Sequence, residues 1–91
     1  MSRRFAFEPE ARDTYLALRK DSSSPIYQAL KAVLTELLAE PGSRRVSQVR
    51  YRPDTWGVRI HVGDARWLIL WRPADNDADL IEIHYLGTRT G

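Results

Sequence analysis

The 91-residue chain predicts an α+β fold: an N-terminal strand, an antiparallel helical hairpin, and a three- to four-stranded, mostly antiparallel sheet with the helices on one face. Three observations carry this. Residues 25–38 repeat apolar side chains at helical spacing, Gly57 to Val62 alternates with period two, and Arg66 to Arg72 encloses the apolar run WLIL. A helix that is apolar on one stripe needs a partner surface, and a sheet supplies it. A strand apolar on both faces belongs in the middle of that sheet.

Taken in order, Arg3 to Phe7 forms a short strand with Phe5 and Phe7 on one face and Arg4 and Ala6 on the other. Glu8-Pro9-Glu10 opens the first helix, because proline is tolerated in the first turn and acids are favourable beside the positive helix end. Ala11, Tyr15 and Leu18 give it a narrow apolar stripe ending near Lys20, and Asp21 to Ser24 is a polar connector. Ser24-Pro25 starts the second helix with an N-cap hydroxyl and a proline at the first helical position. Ile26, Leu30, Val33, Leu34, Leu37 and Leu38 form its broad stripe, and Pro41-Gly42 stops it. A connector of about four residues makes a helical hairpin the expected arrangement.

Beyond it, Val46, Gln48, Val49 and Tyr51 suggest a strand or an extended arm, and Arg52 to Thr55 a turn. In the next strand Val58, Ile60 and Val62 face the core while Arg59 and His61 face outward. Gly63-Asp64 then turns the chain into Arg66 to Arg72, since both residues tolerate positive φ. Pro73 to Asp79 is expected to be an acidic loop, and Leu80 to Leu86 the last strand. Strict alternation there sets Ile81, Ile83 and Tyr85 against Glu82, His84 and Leu86. With its first strand returning to the sheet edge over two helices, the whole of residues 1–91 reads as one domain whose second sheet face is open.

Composition narrows the function. Hydrophobic residues at 43% and charged residues at 29% are ordinary for a water-soluble globular chain. With roughly 60–65% of its surface buried on folding, a chain this short has room for one core and one site. It has no cysteine, which excludes disulfides and thiolate metal sites and suggests the cytoplasm. The arginines near the start precede no apolar stretch of a secretory signal, and Trp67 to Trp71 is far too short to span a bilayer, so no membrane partner is expected. The net charge is only +2, but Arg44, Arg45, Arg50, Arg52, Arg59, Arg66 and Arg72 face only Asp54 and Asp64 in their segment. A planar guanidinium suits phosphate, so this segment is a candidate phosphate-binding surface.

Arg59, His61, Arg66 and His84 are expected together on the open face. Guanidinium groups there can stabilise phosphoryl charge while an imidazole moves protons, the requirements of phosphodiester chemistry. Trp67 and Trp71 read as packing residues, whereas Trp56, beside a turn, is left between packing and base stacking. No metal-ligand spacing, cofactor motif or Ser-His-Asp constellation is present.

These segments resemble the RelE/ParE toxins of bacterial toxin–antitoxin modules. RIHVGDARWLILW is similar to the family's central RxRVGDYRxxY hairpin, IEIHYLGTR to its final strand with a Gly-x-Arg ending, and the order of helices to its layout. The resemblance covers nearly the whole chain and is sharpest at Arg59-x-x-x-Gly63-Asp64-x-Arg66. It implies a RelE-like ribosome-dependent endoribonuclease that needs no cofactor and cuts mRNA by attack of the ribose 2′-hydroxyl on the adjacent phosphate. Arg66 would then hold the scissile phosphate, Arg59 and His61 would face the RNA, and Arg89 would match the arginine of the last strand. His84 and Tyr85 are candidates for acid–base work. Ala65 and Thr88 stand where members often carry an aromatic and a histidine or lysine, and the sequence stops where many active members carry a tyrosine. The implied partners are a cognate antitoxin, the ribosome and mRNA. The alternatives are a ParE-like toxin acting on DNA gyrase without nuclease activity, and a non-catalytic member that binds only antitoxin or nucleic acid.

Overall fold

A computed structural model describes residues 3–40 and 48–89. In order these form β1 (Arg4–Phe7), α1 (Pro9–Arg19), α2 (Pro25–Ala39), β2 (Gln48–Arg52), β3 (Thr55–Val62), β4 (Ala65–Ala74) and β5 (Asp77–Thr88). The strands make one five-stranded mixed sheet in the order β1-β5-β4-β3-β2. The sheet therefore has one strand more than the three or four expected. β4 is central, as its doubly apolar run predicts, and β1 lies at the edge parallel to β5 with Phe7 opposite Ile83.

The helices begin where the sequence places them. The Ser24 hydroxyl accepts a hydrogen bond from Tyr27 N at 3.2 Å, satisfying one of the unpaired amides of the first turn of α2. At its other end Glu40 is extended, with φ −154° and ψ 94°, the conformation that a following proline imposes. Pro41-Gly42 itself and Val46 lie outside the described residues. The helices lie side by side on one face of the sheet, α1 chiefly over β5 and α2 over β3, with little contact between them. Each is thus held by its own strand more than by the expected hairpin partner.

Leu30, Leu37, Val58, Ile69, Ile81 and Ile83 are the largest fully buried side chains. Each contributes about 1.5–3 kcal/mol by leaving water. Phe7 stacks on Tyr15 at 5.1 Å and Tyr15 approaches Tyr27 at 6.4 Å, which ties the edge strand to both helices. No helix among the described residues is long and apolar enough to cross a membrane.

Two strand expectations need correction. The acidic segment from Pro73 to Asp79 is no loop: β4 runs through Ala74, β5 starts at Asp77, and only Asp75 and Asn76 turn between them. Pro73 is tolerated because β3 pairs with β4 only as far as Trp71, so its missing N–H is not needed there. The acids are neutralised locally, by Arg4 on Asp77 and Arg72 on Asp75.

The second correction concerns β5. Leu70 pairs with Tyr85 but Trp71 pairs with Ile83, so His84 is an extra residue in a β-bulge. A one-residue insertion reverses every later side chain. Ile81, Ile83 and Leu86 accordingly share the buried face, and Tyr85 is turned outward.

Candidate functional site

Among the described residues, no element covers the sheet face opposite the helices, and its side chains fall into rows that cross the strands. Across β3 and β4, His61 pairs with Arg66, Arg59 with Leu68, and Gly57 with Leu70. Across β4 and β5, Leu68 pairs with Gly87 and Leu70 with Tyr85. Arg89 N donates to the Arg66 carbonyl at 2.8 Å, which extends the first row to His61, Arg66 and Arg89. Opposed residues in a sheet hold their Cβ atoms about 5 Å apart, so this row concentrates three nitrogenous side chains, with Arg59 one step behind.

The Gly63-Asp64 turn shapes that end. Of the two turn residues only Gly63 has a positive φ, 57°, as a two-residue hairpin with glycine at its first central position requires; Asp64 does not share it. Arg59, His61 and Arg66 are exposed. Among the described residues, Arg59, Arg66 and Arg89 have no carboxylate at ion-pair distance, so their charge is available to a ligand.

Several arginines elsewhere are engaged. At the opposite end of the face, Arg72 binds Glu82, Asp54 and Asp75 at 3.1, 3.0 and 3.2 Å. The hydrogen bond to Glu82 and the charge of Asp75 hold its proton more tightly than usual. Arg3 donates to the Leu38 and Ala39 carbonyls at the end of α2, a favourable place for a cation. Arg50 lies 4.8 Å over the Trp56 ring, on the helix-bearing face, so the half-buried Trp56 packs under a cation and against the core. Arg52 sits beside the β2–β3 turn, at the end remote from Arg66. The structure thus separates Arg50 and Arg52 from the row, and Arg44 and Arg45 lie outside the described residues.

His84 also stands apart from the other candidates. Its Nδ1 is 3.6 Å from Glu8 and its Nε2 3.4 Å from Glu82, and that nitrogen is buried without a hydrogen bond. Five residues of strand, about 16 Å, separate it from Arg89. Its expected place beside His61 does not hold because the bulge moves it to the β1 side. Tyr85 does join the open face, and its hydroxyl donates to the Thr88 carbonyl at 2.9 Å.

Tyr51, which is absent from the candidates read in the sequence, lies on the same face over Gly57. A methyl group at Gly57 would overlap its ring, as one at Gly87 would overlap the ring of Tyr85. Tyr51, Leu68, Leu70, Tyr85, Thr88 and Arg89 line an open groove of about 370 Å³. Glycine inside two strands was the available signal, since it marks a close approach. Trp71, by contrast, is buried and donates its ring N–H to Gln48 at 3.1 Å. No cluster of three metal-ligating side chains occurs among the described residues.

No protein-family model matches the sequence, and no curated protein matches it. Solved structures do. A double arginine-to-alanine mutant of the E. coli toxin RelE in the free state superimposes with a TM-score of 0.66 at 17% identity, covering 96% of this chain and 83% of that one. The archaeal RelE–RelB complex from Pyrococcus horikoshii OT3 matches with a TM-score of 0.55 at 22% identity, over 98% of this chain and 97% of that one. Two solved structures that span nearly all of its length therefore show that this chain has the RelE fold.

Proposed function

We propose that this chain is the toxin of a toxin–antitoxin module, acting in the cytoplasm as a ribosome-dependent endoribonuclease that inhibits translation. The observation that carries the reading is the row of His61, Arg66 and Arg89, with Arg59 behind it, on the sheet face that the helices leave free. The likeness to RelE supports it, and the Pyrococcus neighbour, solved with RelB, supports a protein antitoxin as partner.

In the proposed reaction the 2′-oxygen of one nucleotide attacks the adjacent phosphorus while the bond to the 5′-oxygen of the next nucleotide breaks. The products are a 2′,3′-cyclic phosphate and a 5′-hydroxyl. Arg66 and Arg89 neutralise the non-bridging oxygens, where negative charge grows in the transition state. His61, directly opposite Arg66, accepts the proton of the attacking hydroxyl, and the leaving oxygen takes one from water. Arg59 holds a neighbouring phosphate. The Tyr85 hydroxyl, already donating to Thr88, fixes its ring in place. His84, held between two carboxylates away from the row, takes no part in the step.

Inducible expression with primer extension on a reporter mRNA tests the proposal. Cleavage in phase with codons is expected with the native chain and is lost on Arg66→Ala without loss of fold. Unaffected translation and no cleavage from the native chain would refute it, and inhibition of gyrase supercoiling by the purified protein would replace it with the gyrase reading.

A further inference from the structure

We infer that Tyr51 and Tyr85 form a two-seat stacking platform for unpaired bases of a single nucleic-acid strand whose phosphates lie on Arg59, Arg66 and Arg89. The inference rests on the proposed phosphate role of those arginines and adds what the strand presents between its phosphates.

Four observations converge. Both tyrosines are exposed although large and aromatic, at 46% and 40%. Each ring covers a glycine of the sheet, Gly57 or Gly87, and a larger residue beneath would push it off. Glycine weakens a strand interior by about 0.5–1 kcal/mol relative to alanine, so its presence under both rings marks close seating. The hydroxyl of Tyr85 is tied to Thr88 O, so the ring meets a ligand with its face. Leu68 and Leu70, half-buried, floor the space between; Arg59 stands directly opposite Leu68, and the row of Arg66 and Arg89 begins one residue pair further, about 7 Å along the strands.

Spacing identifies the ligand as single-stranded. Tyr51 belongs to β2 and Tyr85 to β5, but their rings lie over Gly57 of β3 and Gly87 of β5, strands two inter-strand distances or about 10 Å apart. Bases stacked as in a duplex are too close together to reach both rings, whereas an extended strand can lay one splayed base on each, as aromatic-bearing sheets do with RNA. An apolar peptide could use the tyrosines and leucines, but it would leave three cations without counter-charges.

Fluorescence anisotropy with the intact protein and a labelled tetranucleotide tests this. The strand is fully 2′-O-methylated, so no 2′-hydroxyl can attack, and a second probe has the same backbone with abasic sugars. The base-bearing strand is expected to bind about tenfold or more tightly than the abasic one for each base seated. Tyr51→Ala and Tyr85→Ala should each remove that advantage, while Tyr51→Phe should preserve it; circular dichroism verifies their folds. Equal, salt-dependent affinity for both strands, lost on Arg66→Ala, would overturn the platform and leave the phosphate reading intact. A base-dependent affinity insensitive to salt and to Arg66→Ala would do the reverse. No binding of either strand would sink both. Tyrosine variants that bind the strand normally but no longer self-associate in light scattering would assign the groove to a second copy of the chain.

Discussion

Salt dependence is the sharpest measure of how many cations on the open face meet phosphate. Three arginines there, Arg59, Arg66 and Arg89, have no carboxylate partner among the described residues, whereas Arg72 has three. Each phosphate neutralised on a single strand contributes about −0.7 to the slope of log K against log salt. Three contacts predict a slope of about −2.1, hence an affinity loss of roughly 18-fold between 50 and 200 mM salt. Arg66→Ala removes one contact, so the slope should flatten to about −1.4 and the loss shrink to roughly sevenfold. Arg72→Ala should leave the slope unchanged, because that guanidinium already has its counter-charges. The assay is titration of an uncleavable single strand at four or five salt concentrations. An unchanged slope in Arg66→Ala, or a flatter one in Arg72→Ala, would refute the assignment of free and committed arginines.

Three further predictions concern the scaffold that holds this face. Leu37, on the inner face of α2, is fully buried, and Leu37→Ala should lower unfolding free energy by about 2–5 kcal/mol in a denaturant titration. Ser24→Ala removes the hydroxyl that caps α2 and should cost about 1 kcal/mol by the same measurement. Asp77 is held below its ordinary carboxylate range by the Asp79 N–H and by Arg4. Because its folded value is depressed, its contribution is present above the unfolded value and is lost as pH falls through the folded one. The stability gap between the native chain and Asp77→Asn should therefore hold from neutrality to about pH 4 and close below it. It should also narrow with added salt, since the pair is exposed.

The local sequence by itself determined most of the elements and most of their faces. Helical spacing from Ile26 to Leu38 defines the stripe of α2, and Ser24-Pro25 defines its start, because capping and periodicity act within a few residues. Alternation through Val58, Ile60 and Val62 separates core from open face, and the Gly63-Asp64 turn places Arg66 opposite His61. What spans two or more strands was decided only in the folded chain. The bulge at His84 exists because β4 and β5 slip by one residue, and that slip turns Tyr85 outward and removes His84 from the cationic row. Whether an arginine is free or committed depends on carboxylates far along the chain: Glu82 and Asp54 quench Arg72, and nothing near Arg66 in sequence distinguishes the two. Tyr51 reaches Gly57 only through the pairing of β2 with β3. Short-range periodicity cannot express such register and partner choices, and they divide the open face into a row for phosphate and a seat for bases.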